Sequence, residues 1–290
     1  MQDYNWNDLR YVLALHRAGT LTRAGRAVGA DETTVARRLR ALERALHSPL
    51  FMSNGTGRYE ATEIGLKVIG RAERIEHEFD SINDTVGTFR NKLLGVVRIT
   101  TVPIIVHRVL IPNLSRFRDD NPGVTLELIP DARNLSLSKR EADLALRFAR
   151  PEKGGFRIKA QKLGALTFAV YGPASIPAAK ATNLKWIEYD DAHYHLPQAR
   201  WLADVADQEG STCPHLRVSD AETALEAVAA GLGKTILPVH AANTDLRLRR
   251  LQTPKPHNLP TRDVWLLSHA HHEKRQPIAA ARQWLKGLTW

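Results

Sequence analysis

The feature that most constrains the fold is a long amphipathic segment that starts at Thr62. Its apolar residues recur at spacings of 4, 4, 3, 4, 3, 4 and 3, close to a heptad repeat: Ile64, Val68, Ala72, Ile75, Phe79, Ile82, Val86 and Phe89. This spacing predicts one continuous helix with a single apolar stripe between charged flanks. The stripe must be buried, and a second copy of the chain is the simplest partner. We therefore predict a linker and dimerisation helix over residues 62–92, with these residues at the contact: Ile64, Val68, Ile75, Phe79, Ile82 and Val86. Packing against the chain's own C-terminal part is the alternative.

Residues 1–61 predict a small domain of short helices that ends in a hairpin. Gly19 and Gly29 interrupt the helical pattern, and Asp31 is a suitable N-cap for a third helix. The apolar stripe of that helix is Val35, Leu39, Leu42 and Leu46, and its opposite face carries Thr34, Arg37, Arg38 and Ala41. Two short helices joined through a glycine turn are the plan of a helix-turn-helix, whose second helix enters the major groove of DNA. A surface helix with solvated arginines is the simpler alternative.

A hairpin after this motif favours the DNA-binding interpretation. Residues 53–57 read Ser-Asn-Gly-Thr-Gly, a strong turn signal, and residues 58–61 predict a short strand, so that the hairpin forms a wing. Arg58 lies near its tip, where a guanidinium can reach a phosphate. The formal charge of the chain is +10, but residues 1–92 carry only +2 of it. DNA binding by this part therefore has to depend on placed side chains rather than on bulk charge.

Residues 93–290 predict an α/β domain. A strand at 96–99, a helix at 103–117 and a strand at 124–129 form a βαβ unit, and the alternation continues to a last helix at 276–287. This alternation is typical of a parallel sheet with helices on its faces. The segment is long enough for two subdomains with a cleft between them, and ligands of open α/β sheets bind near the strand ends.

Composition argues against several other classes of protein. The chain has 290 residues, one cysteine and 43% apolar side chains, which is typical of a globular protein of about two domains in a reducing compartment. Its first residues include carboxylates and no apolar core, unlike a secretory signal. No window approaches the length of apolar sequence that a membrane helix needs. We therefore expect a soluble cytoplasmic protein.

No motif of an enzyme or of a cofactor site is complete. Lys234 stands in a Gly-Lys-Thr triplet, but Val228 occupies the position of the earlier P-loop glycine. The histidines at 269, 271 and 272 lack the H-E-x-x-H pattern of a zinc helix, and Cys213 has only a neighbouring histidine. We expect neither catalysis nor a metal ion nor a cofactor.

Several stretches together resemble the bacterial LysR-type transcriptional regulators. They are residues 9–24, residues 34–43, Leu50-Phe51 with residues 62–65, and in the C-terminal part residues 135–147 and 229–238. The resemblance covers essentially the whole chain. It implies a winged helix-turn-helix DNA-binding domain at 1–61, a linker helix at 62–92, and at 93–290 an effector-binding domain of two subdomains that resembles a periplasmic binding protein.

The resemblance also implies the functional residues and the partners. Subdomain I would comprise 93–163 and 263–290, and subdomain II 164–262, with a small effector bound between them. The expected DNA contacts are Glu32, Thr33, Thr34, Arg37, Arg38 and Arg58. The expected effector contacts are Thr100, Thr101, Val102, Asp131, Asn134, Asp190, His193 and Ser219. The implied partners are double-stranded operator DNA, a second copy in a homodimer or homotetramer, and RNA polymerase.

Two features bear on specificity, of which the first is a departure from the family's pattern. The family commonly has Ser-Gln-Pro where this chain has Asp31-Glu32-Thr33. Glu32 accepts a hydrogen bond from cytosine but donates none to adenine, so we expect a different half-site. The hydroxyl pair of Thr100 and Thr101 before a helix favours an anionic effector.

Two other classes of protein share parts of this organisation. A solute-binding protein would have the C-terminal architecture, but it would need a secretory signal and no residues 1–60. A DNA-binding enzyme or a structural nucleoid protein would bind DNA through the basic C-terminal part with little sequence preference. Affinity for random DNA distinguishes such a protein from a regulator.

Overall fold

The computed structural model describes residues 5–89, 93–131, 142–149, 158–181, 183–210, 216–252, 258–270, 273 and 275–290, with only the backbone at 77, 80, 81, 83–89 and 178. These residues form two compact units, and the main division of the chain falls between Leu93 and Leu94. Among the described helices, none is both long and apolar enough to cross a membrane.

The first unit contains short helices, a hairpin and one long helix. Its elements are a 3-10 turn (Trp6–Asp8), α1 (Leu9–Ala18), α2 (Leu21–Val28), α3 (Glu32–Ala45), β1 (Phe51–Ser53), β2 (Tyr59–Ala61) and α4 (Glu63–Phe89). The Thr20 hydroxyl accepts a hydrogen bond from the Arg23 amide at 3.3 Å, and the Asp31 carboxylate accepts one from the Thr34 amide at 2.6 Å. Gly29 ends α2 with a φ of 68°, a conformation that favours glycine. The winged helix-turn-helix predicted from these local signals is confirmed.

The beginning of α4 belongs to the core of this unit. Ile69 and Ala72 are 3% and 1% exposed and pack with the buried residues of α1 and α3. Gly65 lies so close to the Leu50 carbonyl oxygen that a Cβ would stand 2.0 Å from it. The Arg17 guanidinium also donates two hydrogen bonds to the Glu76 carboxylate of α4, at 2.9 and 2.6 Å. The first turns of the helix are therefore fixed to the winged domain.

The wing is held from both of its ends. β1 and β2 pair antiparallel, and the Tyr59 amide donates to the Gly19 carbonyl at 2.9 Å, which joins the wing to the turn between α1 and α2. At the other end, the Glu43 carboxylate of α3 accepts hydrogen bonds from the amides of Leu50 at 2.7 Å and Phe51 at 3.2 Å. The position of the wing is thus set by α3 and by the helix-turn-helix itself.

The second unit alternates strands and helices as predicted. Its elements are β3 (Gly95–Thr101), α5 (Pro103–Ile105), a π-helical turn (Val106–Leu110), a 3-10 turn (Ile111–Asn113), α6 (Leu114–Asp120), β4 (Val124–Pro130), β5 (Leu144–Arg147), β6 (Ile158–Pro173), α7 (Ala178–Ala181), β7 (Glu188–Tyr189), a 3-10 turn (Asp191–His193), α8 (Pro197–Gln208), β8 (Arg217–Val218), α9 (Ala221–Ala229), β9 (Thr235–Pro238), α10 (Val239–Ala242), β10 (Leu248–Arg250), β11 (Thr261–His269) and α11 (Gln276–Lys286). The helix predicted at 103–117 is interrupted, because Pro112 has no amide hydrogen to continue the helical hydrogen bonds.

The main sheet is mixed, so the prediction of a parallel sheet was wrong. Its order is β10-β6-β11-β5-β3-β4, and β9 also pairs with β6. β3 is parallel to β4 and β5, whereas β11 is antiparallel to both β5 and β6. The chain leaves the first half of the unit along β6 and returns beside it along β11, so these two strands must run in opposite directions. β7 and β8 form a separate short parallel pair, and an isolated bridge between Trp186 and Lys234 connects the segments just before β7 and β9.

β6 runs through both halves of the unit. Its first part pairs with β11, and its last residues pair with β9 and β10. One continuous hydrophobic core accompanies it, from Val97 and Leu144 in the first half to Leu202 and Leu225 in the second. Both halves are therefore built around a shared strand.

Candidate DNA-binding surface and effector-binding site

The exposed face of α3 carries some of the predicted DNA-binding residues. Val35 and Leu39 are buried in the core, which turns Thr33 and Arg37 outward. Thr34 is half-buried, and its amide is held by the N-cap Asp31. Hydrogen bonds from the Thr33 hydroxyl, at 2.6 Å, and from the Thr34 amide lower the pKa of Asp31, so its carboxylate stays charged at the start of the helix.

Glu32 is exposed, and it is held by the preceding helix. The Thr22 hydroxyl of α2 donates a hydrogen bond to the Glu32 carboxylate at 2.6 Å. This contact joins the first turns of the two helices of the motif. It leaves the second carboxylate oxygen of Glu32 as the acceptor that can face a base.

Arg38 lies at the edge of the exposed face, next to the 3-10 turn. Its guanidinium is 3.5 Å from the carboxylate of Asp8, and their side chains are 39% and 6% exposed. Burial raises the pKa of Asp8, and the charges of Arg38 and Arg37 oppose that rise. Arg38 thus compensates a buried carboxylate within the domain, whereas Arg37 is exposed.

The structure adds two arginines to the face that periodicity assigned to Thr34, Arg37, Arg38 and Ala41. Arg40 and Arg44 are exposed and continue the row of Arg37 at spacings of 3 and 4. A count of helical turns from Arg37 would have found them. Arg58 is also exposed, in the loop of the wing beside Gly57, whose φ is 76°. The unit therefore presents guanidinium groups from α3 and from the wing.

The predicted dimerisation stripe divides into two parts. Val68 and Ile75 are half-buried and pack against the core of their own winged domain. Ile64, Phe79 and Ile82 remain 43%, 66% and 56% exposed, and the side chain of Val86 lies outside the described residues. A groove of about 490 Å³ runs beside the stripe and is lined by Trp6, Leu9, Leu46, Val68, Arg71, Arg74, Ile75 and Glu78.

In the second unit, the register of β6 brings two sets of strand ends together. The carboxyl end of β5, at Arg147, is level with Lys162 of β6, because both pair with Trp265. The carboxyl end of β9, at Pro238, is level with Phe168. The carboxyl ends of both halves therefore face each other across six residues of β6, a span of about 20 Å. This is where ligands of such sheets bind.

Thr100 and Thr101 stand at the first of these edges. Both side chains are fully buried, and among the described residues neither hydroxyl has a hydrogen-bond partner. The Asp131 amide donates to the Thr101 carbonyl at 2.8 Å, which places Asp131 beside them. The Arg147 guanidinium donates to the Thr100 carbonyl at 3.2 Å; burial lowers its pKa, and the charge of Asp131 opposes that change.

The remaining predicted effector residues are placed as follows. Val102 is half-buried and immediately precedes α5. Asp190 follows β7 and accepts a hydrogen bond from the His193 imidazole at 2.6 Å, which lowers the pKa of the carboxyl group. Ser219 is exposed at the end of β8, and Asn134 lies outside the described residues.

Sequence reasoning missed a polar cluster at the second edge. Arg262, near the start of β11, is 3.4 Å from the Gln198 carboxamide oxygen, and its guanidinium lies 5.0 Å from the centre of the Phe148 ring. Tyr189, at the end of β7, is 8% exposed, and its hydroxyl lies beside Gln198. Burial lowers the pKa of Arg262 and raises the pKa of Tyr189 to about 12. No periodic signal marks these residues, because they come from three separate elements.

Arg108 links the two halves through ion pairs. It lies in the π-helical turn, and its guanidinium donates to the carboxylates of Glu222 at 2.7 Å and Asp245 at 3.1 Å, and also to Glu226. The side chains of Glu222 and Asp245 are only 17% and 7% exposed. Hydrogen bonds to Glu222 raise the pKa of Arg108, so it remains charged. Within the part of the chain that the structure describes, no cluster of three or more side chains is arranged to hold a metal ion.

Comparison with known proteins relates both units to one family. The family described as "LysR substrate binding domain" matches residues 90–289, and "Bacterial regulatory helix-turn-helix protein, lysR family" matches residues 6–66. The Mau operon transcriptional activator of Paracoccus denitrificans is 27% identical over 268 residues, which span 92% of this chain and 90% of that protein. A probable hydrogen peroxide-inducible genes activator of Mycobacterium avium is 23% identical over 270 residues, which span 86% and 84% of the two chains.

Solved structures share the fold at low identity. Full-length OxyR from Pseudomonas aeruginosa, solved as a variant, superposes with a TM-score of 0.66 at 18% identity, covering 98% of both chains. Full-length LysG from Corynebacterium glutamicum, solved with bound effector Arg, has a TM-score of 0.62 at 16% identity, covering 97% of this chain and 96% of that one. Since the two LysR families together account for nearly the whole sequence, the chain belongs to the LysR family of bacterial transcriptional regulators.

Proposed function

We propose that this regulator recognises operator DNA as a homodimer through α3 and the wing, under the control of a small effector bound between the subdomains of its C-terminal unit. The observation that carries the DNA-binding part is the exposed face of α3, where Thr33 and Arg37 stand opposite the buried stripe. A helix of this kind fits the major groove.

We assign different tasks to the predicted DNA contacts. Arg37 and Thr33 reach base edges, and Glu32 accepts a hydrogen bond from cytosine through the oxygen that Thr22 leaves open. Arg58, in the wing, binds a flanking phosphate. Thr34 and Arg38 lie at the margin of the face, so we assign them contacts with the DNA backbone.

The dimer follows from the exposed part of α4. Phe79 and Ile82 expose 66% and 56% of their side chains, and a second copy is the occupant that would cover them. Such a dimer would place two recognition helices about one turn of DNA apart, or a multiple of it. For a transcriptional regulator, RNA polymerase is the further partner that we propose, and the cytoplasm, which holds the bacterial DNA, is the site of action.

The effector would bind where the carboxyl ends of the strands face each other along β6. The predicted contacts are Thr100, Thr101, Val102, Asp131, Asn134, Asp190, His193 and Ser219. A ligand there touches both halves of the unit, and it shifts their arrangement only if it binds one arrangement more tightly than the other. The buried hydroxyls of Thr100 and Thr101 support a polar or anionic ligand.

The test is a titration of the purified chain onto the DNA upstream of its own gene and onto scrambled DNA, at several salt concentrations. We expect preference for the upstream DNA by about a thousandfold or more. Arg37→Ala should weaken binding to the upstream DNA roughly tenfold to a hundredfold and leave the scrambled DNA little affected. Arg116→Ala is the matched control, because it removes the same charge from a side chain that is 90% exposed on α6.

Two results would contradict the proposal. Equal losses for Arg37→Ala and Arg116→Ala would mean that Arg37 contributes only charge. Equal, steeply salt-dependent binding of the wild-type chain to the upstream DNA, to scrambled DNA and to genome fragments would indicate a nonspecific DNA-binding protein.

A further inference from the structure

Arg262 is a partly buried cation with no carboxylate beside it in the described part of the chain. Its pKa is lowered by burial, and no carboxylate lies within 4.0 Å of it among the described residues. Its hydrogen bond to the Gln198 carboxamide oxygen is long, at 3.4 Å, and its other contact is the face of the Phe148 ring. Burying a guanidinium without a paired anion costs desolvation free energy, so an anionic ligand would be stabilised beside it.

Tyr189, a neighbour of Arg262, has a buried hydroxyl that finds no hydrogen-bond partner among the described residues. Tyr189 is 8% exposed, and its hydroxyl lies beside Gln198 without a hydrogen bond of standard geometry in the described part of the chain. With a pKa raised to about 12, this hydroxyl is neutral and able to donate. A buried hydroxyl without a partner is uncommon in native proteins and indicates an absent ligand or water.

The strand register places Arg262 within the span between the two edges. Arg262 pairs with Leu166 of β6, which lies between Lys162 and Phe168, the residues level with the two sets of strand ends. Thr100 and Thr101, whose hydroxyls have no hydrogen-bond partner among the described residues, stand at the edge on the other side. Polar groups without hydrogen-bond partners among the described residues therefore lie at both of the edges that the strand register turns toward each other.

We propose that the effector carries a single carboxylate and that Arg262 binds it, with the Tyr189 hydroxyl and the Gln198 amide as further donors. This inference rests on the effector site proposed above and adds the ligand's chemical class. A carboxylate matches the fork of a guanidinium through two parallel hydrogen bonds. One guanidinium balances the single charge of a carboxylate, whereas a phosphate dianion would leave a negative charge uncompensated at a partly buried position.

The first test needs no knowledge of the ligand. If Arg262 is an uncompensated cation in the empty site, Arg262→Met should raise the midpoint of thermal unfolding of the full chain, because it replaces a buried charge by an apolar side chain of similar length. An arginine that stabilises the fold would give a lower midpoint, and that result would overturn the proposal. Arg249→Met is the matched control, since Arg249 is exposed on β10 and should change the midpoint little.

The second test uses aliphatic and aromatic monocarboxylates of two to eight carbons, their amides and inorganic phosphate as probes in thermal unfolding of the full chain. We expect at least one carboxylate to raise the midpoint, with no shift from its amide or from phosphate. Arg262→Met should lower the affinity of the chain for that carboxylate about tenfold to a hundredfold, whereas Arg249→Met should leave it unchanged. The absence of any carboxylate effect, an equal effect of the amide, or an unchanged effect in Arg262→Met would refute the assignment.

Operator binding separates this inference from the proposed function. Arg262→Met should retain the affinity of the unliganded chain for the upstream DNA, because Arg262 lies in the second unit. A wild-type chain without operator preference would refute the proposed function, whereas the two unfolding tests would still decide the carboxylate site.

Discussion

Arg108 provides a stability prediction that can be worked from its contacts. Arg108→Met removes the hydrogen bonds to Glu222 and Asp245, whose side chains are 17% and 7% exposed. Asp245 keeps Arg247 at 2.7 Å, but Glu222 loses the one cation that the described residues place beside it. Breaking a fully buried ion pair lowers the free energy of unfolding by about 3–5 kcal/mol. Since the Arg108 side chain is 19% exposed, we expect a smaller loss of about 2–3 kcal/mol.

The assay is urea unfolding of the full chain at pH 7, followed by tryptophan fluorescence. Five of the six tryptophans lie in the second unit, so the signal follows the unit that contains Arg108. Arg98→Met is the control, because the pair of Arg98 with Glu127 has a shorter distance, 2.6 Å, but is 46% and 45% exposed. Such an exposed pair is worth less than about 1 kcal/mol.

The comparison of the two variants decides whether burial of the carboxylates matters. If Arg108→Met costs no more than Arg98→Met, the argument from desolvated carboxylates is refuted. A larger loss of unfolding free energy for Arg108→Met would support the argument, provided that the slope of this free energy against urea concentration is unchanged. That slope reports the surface exposed on unfolding. The ion pairs would then stabilise the arrangement of the two halves that the effector has to shift.

Three further outcomes follow from local contacts. Gly65→Ala should lower the free energy of unfolding by about 1–3 kcal/mol, because its methyl group would stand 2.0 Å from the Leu50 carbonyl oxygen. Thermal unfolding measures this loss, and a stability equal to that of the wild type would contradict the close approach. Glu43→Ala should lower the free energy of unfolding by about 2–3 kcal/mol, because the amides of Leu50 and Phe51 lose their hydrogen-bond acceptor. It should also weaken operator binding, because the wing loses its contact with α3. Urea unfolding measures the first effect and a DNA titration the second. Hydrogen bonds from Arg247 hold the pKa of Asp245 below its ordinary value. The ionised carboxylate therefore adds to the free energy of unfolding above about pH 4, and this stabilisation is lost as the pH falls through the lowered pKa. Asp245→Asn should therefore change the urea midpoint of unfolding more at pH 7 than at pH 3, and equal changes at the two pH values would exclude this cause.

Most of the DNA-binding unit could be predicted because its signals are local. Thr20 and Asp31 each cap a helix by bonding an amide three residues ahead, and Gly29 ends α2 in a left-handed conformation. These contacts depend on the order of neighbouring residues alone. The helical stripe of α3 follows from the same kind of short-range geometry, so Arg37 could be assigned to the exposed face without a structure.

Periodicity was less informative where a residue stands at the margin of a face. Arg38 lies one position from Arg37, and only the fold brings the carboxylate of Asp8 to it. Val68 and Ile75 belong to one continuous stripe in the sequence, yet they pack on their own domain while Phe79 remains exposed. An apolar stripe indicates that a face is buried, but it does not identify the surface that covers it.

The amino-acid order alone indicated the family through resemblance along the whole chain. It also predicted the winged motif, the long helix and the alternation of strands and helices, because each of these depends on residues within a few turns of one another. The polar cluster at the candidate effector site was decided by tertiary structure. Arg262 meets Gln198 and Tyr189 only because β6 and β11 pair in one register and bring the second half of the unit beside them. Strand register joins segments separated by dozens of residues, and neither a side-chain period nor a cap encodes which of them will meet.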